Sequence, residues 1–434
     1  MWTNSSIFYQ IYPLGFCGAP KDNDGVTVNR IRKIVDWTDY LSKLGIDAIL
    51  FNPIFESDRH GYDMRDYTRV DCRLGTNEDF ANVCRVLHKH EIRIILDGVF
   101  NHVGRGFWAF QDVLNNREHS AYKDWFHIQF QQDNGYHDGL SYEGWEGHYE
   151  LVKLNLKNRE VIDYLFHSIG KWVEEFDIDG LRLDVAYCLE HDFLRELRSF
   201  CDGLKQDFFI VGETLFGDYR QIANDTMMHS CTNYECYKGI HSSLNDMNMF
   251  EISYSLNRQF GGGSGLYEGL QLLSFVDNHD VSRIASILKD KNHLPLSYGL
   301  LLGMPGIPCI YYGSEWGTEG SKQNGDDALR PCLDAPVKNE LSAFVMKLIS
   351  IRKHSKALCY GDYKNIMITN RQLIFERCFE DERIWVALNI DSVPYTPHIN
   401  SNGENAVDLM TDTEIRLKDG CSLPPYSLLF WKLK

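Results

Sequence analysis

Four short apolar runs of this chain end in side chains that can move protons or hold charge. Asp97, Asn101 and His102 close the run from Ile92 to Phe100. Arg182 and Asp184 lie within Gly180 to Ala186, and Glu213 follows Ile210-Val211-Gly212. Asp277, His279 and Asp280 end Leu272 to Val276. One acid at the end of a strand is commonly a cap or an ion pair, and a structural ion pair is the minor alternative for Arg182 with Asp184. Four runs ending this way are hard to explain as caps. The chemistry they suit is cleavage of an acetal, which needs a proton on the leaving oxygen and a stabilised oxocarbenium-like centre. Retaining enzymes do this with two carboxyl groups about 5 Å apart, one nucleophile and one acid/base. Asp184 and Glu213, on successive strands, fit that pair. Arg182 lies two residues from Asp184 on the same strand face and can keep its carboxylate charged and oriented. Negative charge from Asp280 would help the acid, Glu213, keep its proton. Asp280 can also bind sugar hydroxyls.

These side chains need a scaffold that brings strand ends together. Ile7 to Tyr12, Ala48 to Phe51, Ile92 to Phe100, Gly180 to Ala186, Phe208 to Gly212, Leu272 to Val276 and Ile307 to Tyr312 read as strands, with Thr232 to Ile240 a weaker one. Helical patterns alternate with them. Ile31, Ile34, Val35, Leu41 and Leu44 recur at helical spacing before Gly45, Thr76 with Asp79 forms a capping box, and Asn158 caps a stripe from Ile162 to Phe176. Strand–helix alternation implies a parallel sheet, and eight units favour a (β/α)8 TIM barrel, whose reactive groups sit at the C-terminal strand ends. A doubly wound sheet would want a glycine-rich turn after the first strand; the Gly261 to Gly265 run follows no strand and reads as a loop. The stretch after the third strand is rich in Gly, His, Trp, Asn and Asp and has no period. Ile366 to Phe379, Ile384 to Ile390 and Leu428 to Trp431 read as an antiparallel β domain. The expected division is a barrel over 1–102 and 151–355, an inserted domain over 103–150 and a C-terminal β domain over 356–434.

Composition narrows the partners. The 434 residues carry 44 basic and 61 acidic side chains, a net charge of −17, which disfavours nucleic acid and anionic membranes. Aromatic residues make up 13%, and some can serve as platforms for flat ligands. No run of eighteen apolar residues occurs, and the first residues show no basic and apolar leader. The twelve cysteines form no CxxC pair, so free thiols in a cytoplasmic protein are expected.

The ordered motifs resemble those of the α-amylase family, glycoside hydrolase family 13. Asp97-Gly98-Val99-Phe100-Asn101-His102, Gly180-Leu181-Arg182-Leu183-Asp184, Gly212-Glu213-Thr214 and Phe275-Val276-Asp277-Asn278-His279-Asp280 are similar to its four motifs. The resemblance implies Asp184 as nucleophile, Glu213 as acid/base and Asp280 as transition-state stabiliser, on a barrel with an inserted domain B and a C-terminal domain C. It implies that Tyr62, in His60-Gly61-Tyr62-Asp63, stacks on the reacting sugar, and that His102 and His279 bind its hydroxyls. Gly306 to Glu315 resembles the family's last strand. Arg330 matches an arginine that, in the family's α-glucosidases, pairs with the aspartate matching Asp63 to cap the sugar's non-reducing end. Asn101 matches a calcium ligand of some members; no organic cofactor is implied. Trp108, Trp125, Trp145 and Tyr149 are candidate sugar platforms or packing groups of the insert. Lys153-Leu154-Asn155 resembles a domain B motif of neopullulanases and cyclomaltodextrinases, whose extra N-terminal β domain has no counterpart before the first strand here, leaving monomer and homodimer both open. The implied substrate is an α-glucan oligosaccharide, hydrolysed at α-1,4 bonds. The rivals are a glucosyl transferase or a sucrose- or trehalose-acting enzyme of the same fold, and a non-catalytic glucan-binding protein.

Overall fold

The computed structural model describes residues 1–399, 405–417 and 421–434. Eight parallel strands form the central sheet: β1 (Phe8–Ile11), β2 (Ala48–Phe51), β3 (Arg93–Gly98), β4 (Gly180–Leu183), β5 (Phe209–Gly212), β6 (Ser230–Cys231), β7 (Leu273–Ser274) and β8 (Ile307–Tyr311). Their order is β6-β5-β4-β3-β2-β1-β8-β7. The seam between β6 and β7 is closed by the parallel bridge Thr232↔Leu273 and by Asn233 N donating to Leu273 O at 2.8 Å. This is the expected (β/α)8 barrel.

Side chains alternate across each strand, so every second residue points into the barrel. At one end of the barrel these are apolar: Phe8, Leu50, Ile95 and Val211 share one buried cluster. Two residues further along the same strand faces stand Gln10, Asn52, Asp97 and Glu213, all buried. Arg182 and Asp184 continue the inward face of β4. The polar layer therefore rests on an apolar plug, at the C-terminal strand ends where loops can reach it.

The helices follow their signals. The helix α1 (Lys33–Leu44) stops at Gly45, which adopts φ 92°, a left-handed cap that costs glycine nothing. In α2 (Asn77–Lys89) Thr76 and Asp79 form the reciprocal capping box, and Asn158 caps α3 (Arg159–Phe176) through Glu160 N. One element departs from expectation. Thr232 to Ile240 is not a strand: β6 ends at Cys231, and α4 (Tyr234–Asn245) begins under the Asn233 side chain, which accepts from Cys236 N. The β-branched and aromatic residues there mimic a strand, but the cap decides.

After β3, residues His102–Gly104 pair with His148–Lys153, which pairs in turn with Gly144–Trp145. A six-stranded antiparallel sheet lies at the C-terminus: β9 (Asp362–Ile368), β10 (Gln372–Phe379), β11 (Glu382–Asn389), β12 (Asn405–Asp408), β13 (Thr413–Arg416) and β14 (Ser427–Leu433). The run Ile366 to Phe379 is thus two strands. Thr369 Oγ1 accepts from Arg371 N and Gln372 N, making the hairpin between them. The sheet abuts a helix over Leu294–Gly303 that is buried along most of its length. Buried Arg377 of β10 ties this junction, donating to the Gly303 and Gly361 carbonyls, and buried Arg352 donates to the Leu302, Met304 and Gly306 carbonyls around the turn that leads into β8. No helix among the described residues is long and apolar enough to cross a membrane.

Candidate active site

A cleft of about 1160 Å³ opens over the polar layer, lined by Asp184, Glu213, Asp280, Tyr62 and His102 among others. Its floor is organised by Arg182, which is 3% exposed. Nη1 lies 2.8 Å from both Asp97 oxygens and 2.9 Å from Asp184 Oδ1, and Nη2 lies 2.9 Å from Glu213 Oε2. Sequence reasoning paired Arg182 with Asp184 alone; the guanidinium serves three carboxyl groups. Registry explains this. Gly212 pairs with Leu183, so Glu213 and Asp184 come one residue later, abreast on neighbouring strands about 4.8 Å apart. Val185 N donates to Glu213 Oε2 at 3.1 Å.

Charge in this cluster is unbalanced. Burial pushes the Asp184 carboxyl well above the usual carboxylate range; Arg182 opposes that, and Glu213 and Asp97 add to it. One cation facing three buried carboxyl groups favours retention of a proton in the cluster. Asp280 is the opposite case. Burial would raise it, but His279 and Arg330 prevail and hold it far below the usual range. His279 Nε2 lies 2.9 Å from Asp280 Oδ2, and Arg330 Nη2 donates to Oδ1 at 3.0 Å.

The sugar-binding candidates surround these acids. Tyr62 OH donates to Asp97 Oδ2 at 3.0 Å, and its ring stacks on His279 with centroids 5.6 Å apart. His102 is buried, its Nε2 has no hydrogen-bond partner, and burial pushes the ring down to about 3. A neutral imidazole with a free nitrogen near Asp184 suits a hydroxyl. Asn101 Nδ2 lies 3.2 Å from His102 Nδ1 and braces that ring.

One expectation is corrected, and one pair of alternatives divides. Arg330 does not pair with Asp63: its carboxylate partners are Asp280 and, at 3.6 Å, Asp326, and it lies over the Tyr12 ring. Asp63 is 4% exposed and accepts instead from His60 N at 3.0 Å. Of the insert's aromatics, Trp145 alone lines the cleft, stacked on His148. Trp108 and Trp125 pack edge-on with Tyr122 and Tyr164, and Tyr149 faces solvent.

Several site residues had no motif to announce them. Tyr234 OH donates to Glu213 Oε1 at 3.4 Å and accepts from Asn278 Nδ2 at 3.0 Å. Its position was hidden by the misread strand. Gln10 and Asn52 hold His279 and Asp97 from β1 and the end of β2. The inward parity of those strands was the signal for both.

A barrel with paired acids abreast on β4 and β5, a charged third acid and a neutral imidazole beside them is the architecture of a glycoside hydrolase. Residues 10–341 match the family model of the α-amylase catalytic domain. The chain belongs to the α-amylase family, glycoside hydrolase family 13. It is 31% identical to a cyclomaltodextrinase of Bacillus sp over 422 residues, 91% of this chain and 74% of that one. A maltogenic α-amylase of Bacillus acidopullulyticus is 30% identical over 459 residues, covering 97% of this chain and 76% of its own length. Among solved structures, the cyclic α-maltosyl-(1→6)-maltose hydrolase of Arthrobacter globiformis superposes with a TM-score of 0.85 at 27% identity, covering both chains fully.

Proposed function

We propose that the enzyme is a retaining α-glucan hydrolase acting on α-1,4 bonds of maltooligosaccharides and cyclodextrins. The observation that carries this reading is the placement of Asp184 and Glu213 abreast under one guanidinium, the neighbouring arrangement that a double-displacement pair needs. Asp184 attacks the anomeric carbon while Glu213 protonates the departing glycosidic oxygen. The product is a glycosyl ester on Asp184. Water, giving its proton to Glu213, then attacks the same carbon and frees Asp184. Asp280, held charged, faces the positive charge that develops in both steps. Tyr62, His102 and His279 hold the reacting sugar, and Arg182 orients both acids. No step requires an organic cofactor. Asn101 braces His102 through its side-chain amide, and its backbone carbonyl accepts from Leu154 N.

Names of relatives support the substrate class: cyclomaltodextrinase and maltogenic α-amylase. A cytoplasmic setting fits the twelve free cysteines and the intracellular maltogenic amylase of Bacillus subtilis among the relatives. Transfer to a sugar acceptor is the second reading. Tyr187 lines the cleft and its ring lies 5.7 Å from that of Phe216, which is 70% exposed, an open apolar surface beside Glu213. A timed product profile on maltoheptaose, β-cyclodextrin, pullulan and panose tests both. Shorter maltooligosaccharides dominating supports hydrolysis, longer ones support transfer, and no turnover of any of the four refutes the glucan reading.

A further inference from the structure

One wall of the cleft is built on a residue remote from the acids. Arg73 is fully buried. Its Nε and Nη2 grip Asp71 at 2.8 and 2.7 Å, and Nη2 also donates to Ser57 Oγ at 2.9 Å. Nη1 donates to the carbonyl oxygens of Pro20, Lys21 and Arg59 at 3.0, 2.9 and 2.8 Å. Every donor of the guanidinium is thereby used. Pro20, Lys21 and Arg59 all line the cleft. They come from two separate loops, one after β1 and one after β2. Asn23 adds a second tie, its N donating to Asp58 O at 3.1 Å and its Nδ2 to Ser57 O at 2.8 Å. Lys21, fixed through its own carbonyl, reaches Asp327 at 2.8 Å and joins this wall to the loop after β8.

We propose that Arg73 is a positioning residue for glucan binding, a buried internal cation that holds the loops carrying Lys21, Arg59 and His60 as one rigid wall. Three carbonyl dipoles converging on one point repel each other unless a cation sits among them. A planar fork of donors also fixes the distance and angle between the two loops, which a single ammonium cannot do. The acids are held independently, by β4, β5 and Arg182. Loss of the clamp therefore weakens binding and spares the chemical step. The inference rests on the reading of the cleft as a glucan site.

Arg73→Lys keeps a positive charge beside Asp71 and removes the fork. On maltoheptaose it should raise KM about tenfold while kcat stays within about threefold. Arg352→Lys is the matched control: that arginine also clamps three carbonyls, but around the turn between the Leu294–Gly303 helix and β8, outside the cleft lining. It should lower the melting temperature and leave KM unchanged. If Arg73→Lys does not fold, Asp71→Asn loosens the same guanidinium and should raise KM in the same direction. A KM like that of the unmutated enzyme in Arg73→Lys, or in Asp71→Asn where that variant stands in, overturns the proposal, as does an equal rise in Arg352→Lys. Turnover of maltoheptaose by the unmutated enzyme is read first. Its absence defeats the glucan reading itself, a result separate from any change in the variants.

Discussion

Replacing Arg182 with glutamine should move the acid limb of the pH–rate profile, not only lower the rate. The guanidinium touches Asp97, Asp184 and Glu213 at 2.8–2.9 Å, and the carboxyl groups of all three are at most 8% exposed. Two opposite charges about 4 Å apart at an effective dielectric constant of about 20 attract by about 4 kcal/mol. Desolvation and proton sharing reduce the net effect, and an opposite charge at this range typically shifts a carboxyl by about 1–3 units. The sign follows from the charge. Arg182 favours the ionised form of Asp184, and burial already raises that carboxyl. Without the cation, Asp184 takes up its proton at a higher pH, and a protonated carboxyl cannot attack. Activity that falls away on the acid side should therefore fall away about 1–3 pH units higher. At a pH on that limb the loss of kcat/KM is about 10- to 1000-fold, at 1.36 kcal/mol per unit. The assay is kcat/KM on maltotriose at half-unit pH intervals, with circular dichroism confirming the fold at each pH. An acid limb unmoved while the rate falls uniformly would refute the reasoning, because Arg182 would then be acting on the substrate alone.

Other expectations follow from the same geometry. Glu213→Gln should lose turnover of maltotriose by about 1000-fold or more but retain much of it on α-maltosyl fluoride, whose leaving group needs no proton; equal losses on both, measured as kcat, would remove Glu213 from the acid role. Gly15 packs so tightly on the Arg330 segment that an added Cβ would lie 2.1 Å from Arg330 O. Gly15→Ala should push Arg330 from Asp280 and lower kcat/KM about tenfold or more, with a lowered melting temperature alongside. Asp63→Asn should lower kcat/KM on maltotriose less than about tenfold, since Asp63 holds the His60 turn and not Arg330.

How far the sequence led depends on which physical signal each residue carried. The barrel acids were legible because they sit at fixed offsets after apolar runs, and strand parity turns offset into position. Leu183 beside Gly212 puts Asp184 beside Glu213 without further information. The partners of Arg182 were only half legible, since its contact with Asp97 depends on the β3–β4 registry, which pairs Asp97 with Arg182. Tyr234 was lost because β propensity over 232–237 outweighed a single capping asparagine. Arg330 was placed in the site but given the wrong partner: which aspartate it meets is set by how the loop after β8 folds over Tyr12, and no periodicity encodes that. Arg73 carried no signal of its role, since it lies in a loop and the cleft-wall groups it holds are backbone carbonyls from two distant segments.

The central claim is a covalent glycosyl intermediate on Asp184. A 5-fluoro-α-glucosyl fluoride forms such an ester and releases it slowly, so brief incubation, digestion and mass spectrometry should find one added glycosyl unit on the peptide containing Asp184. The Asp184→Asn protein should show none. A label on another residue, or an unlabelled enzyme that turns over the reagent and releases the inverted β-sugar first, would contradict the account.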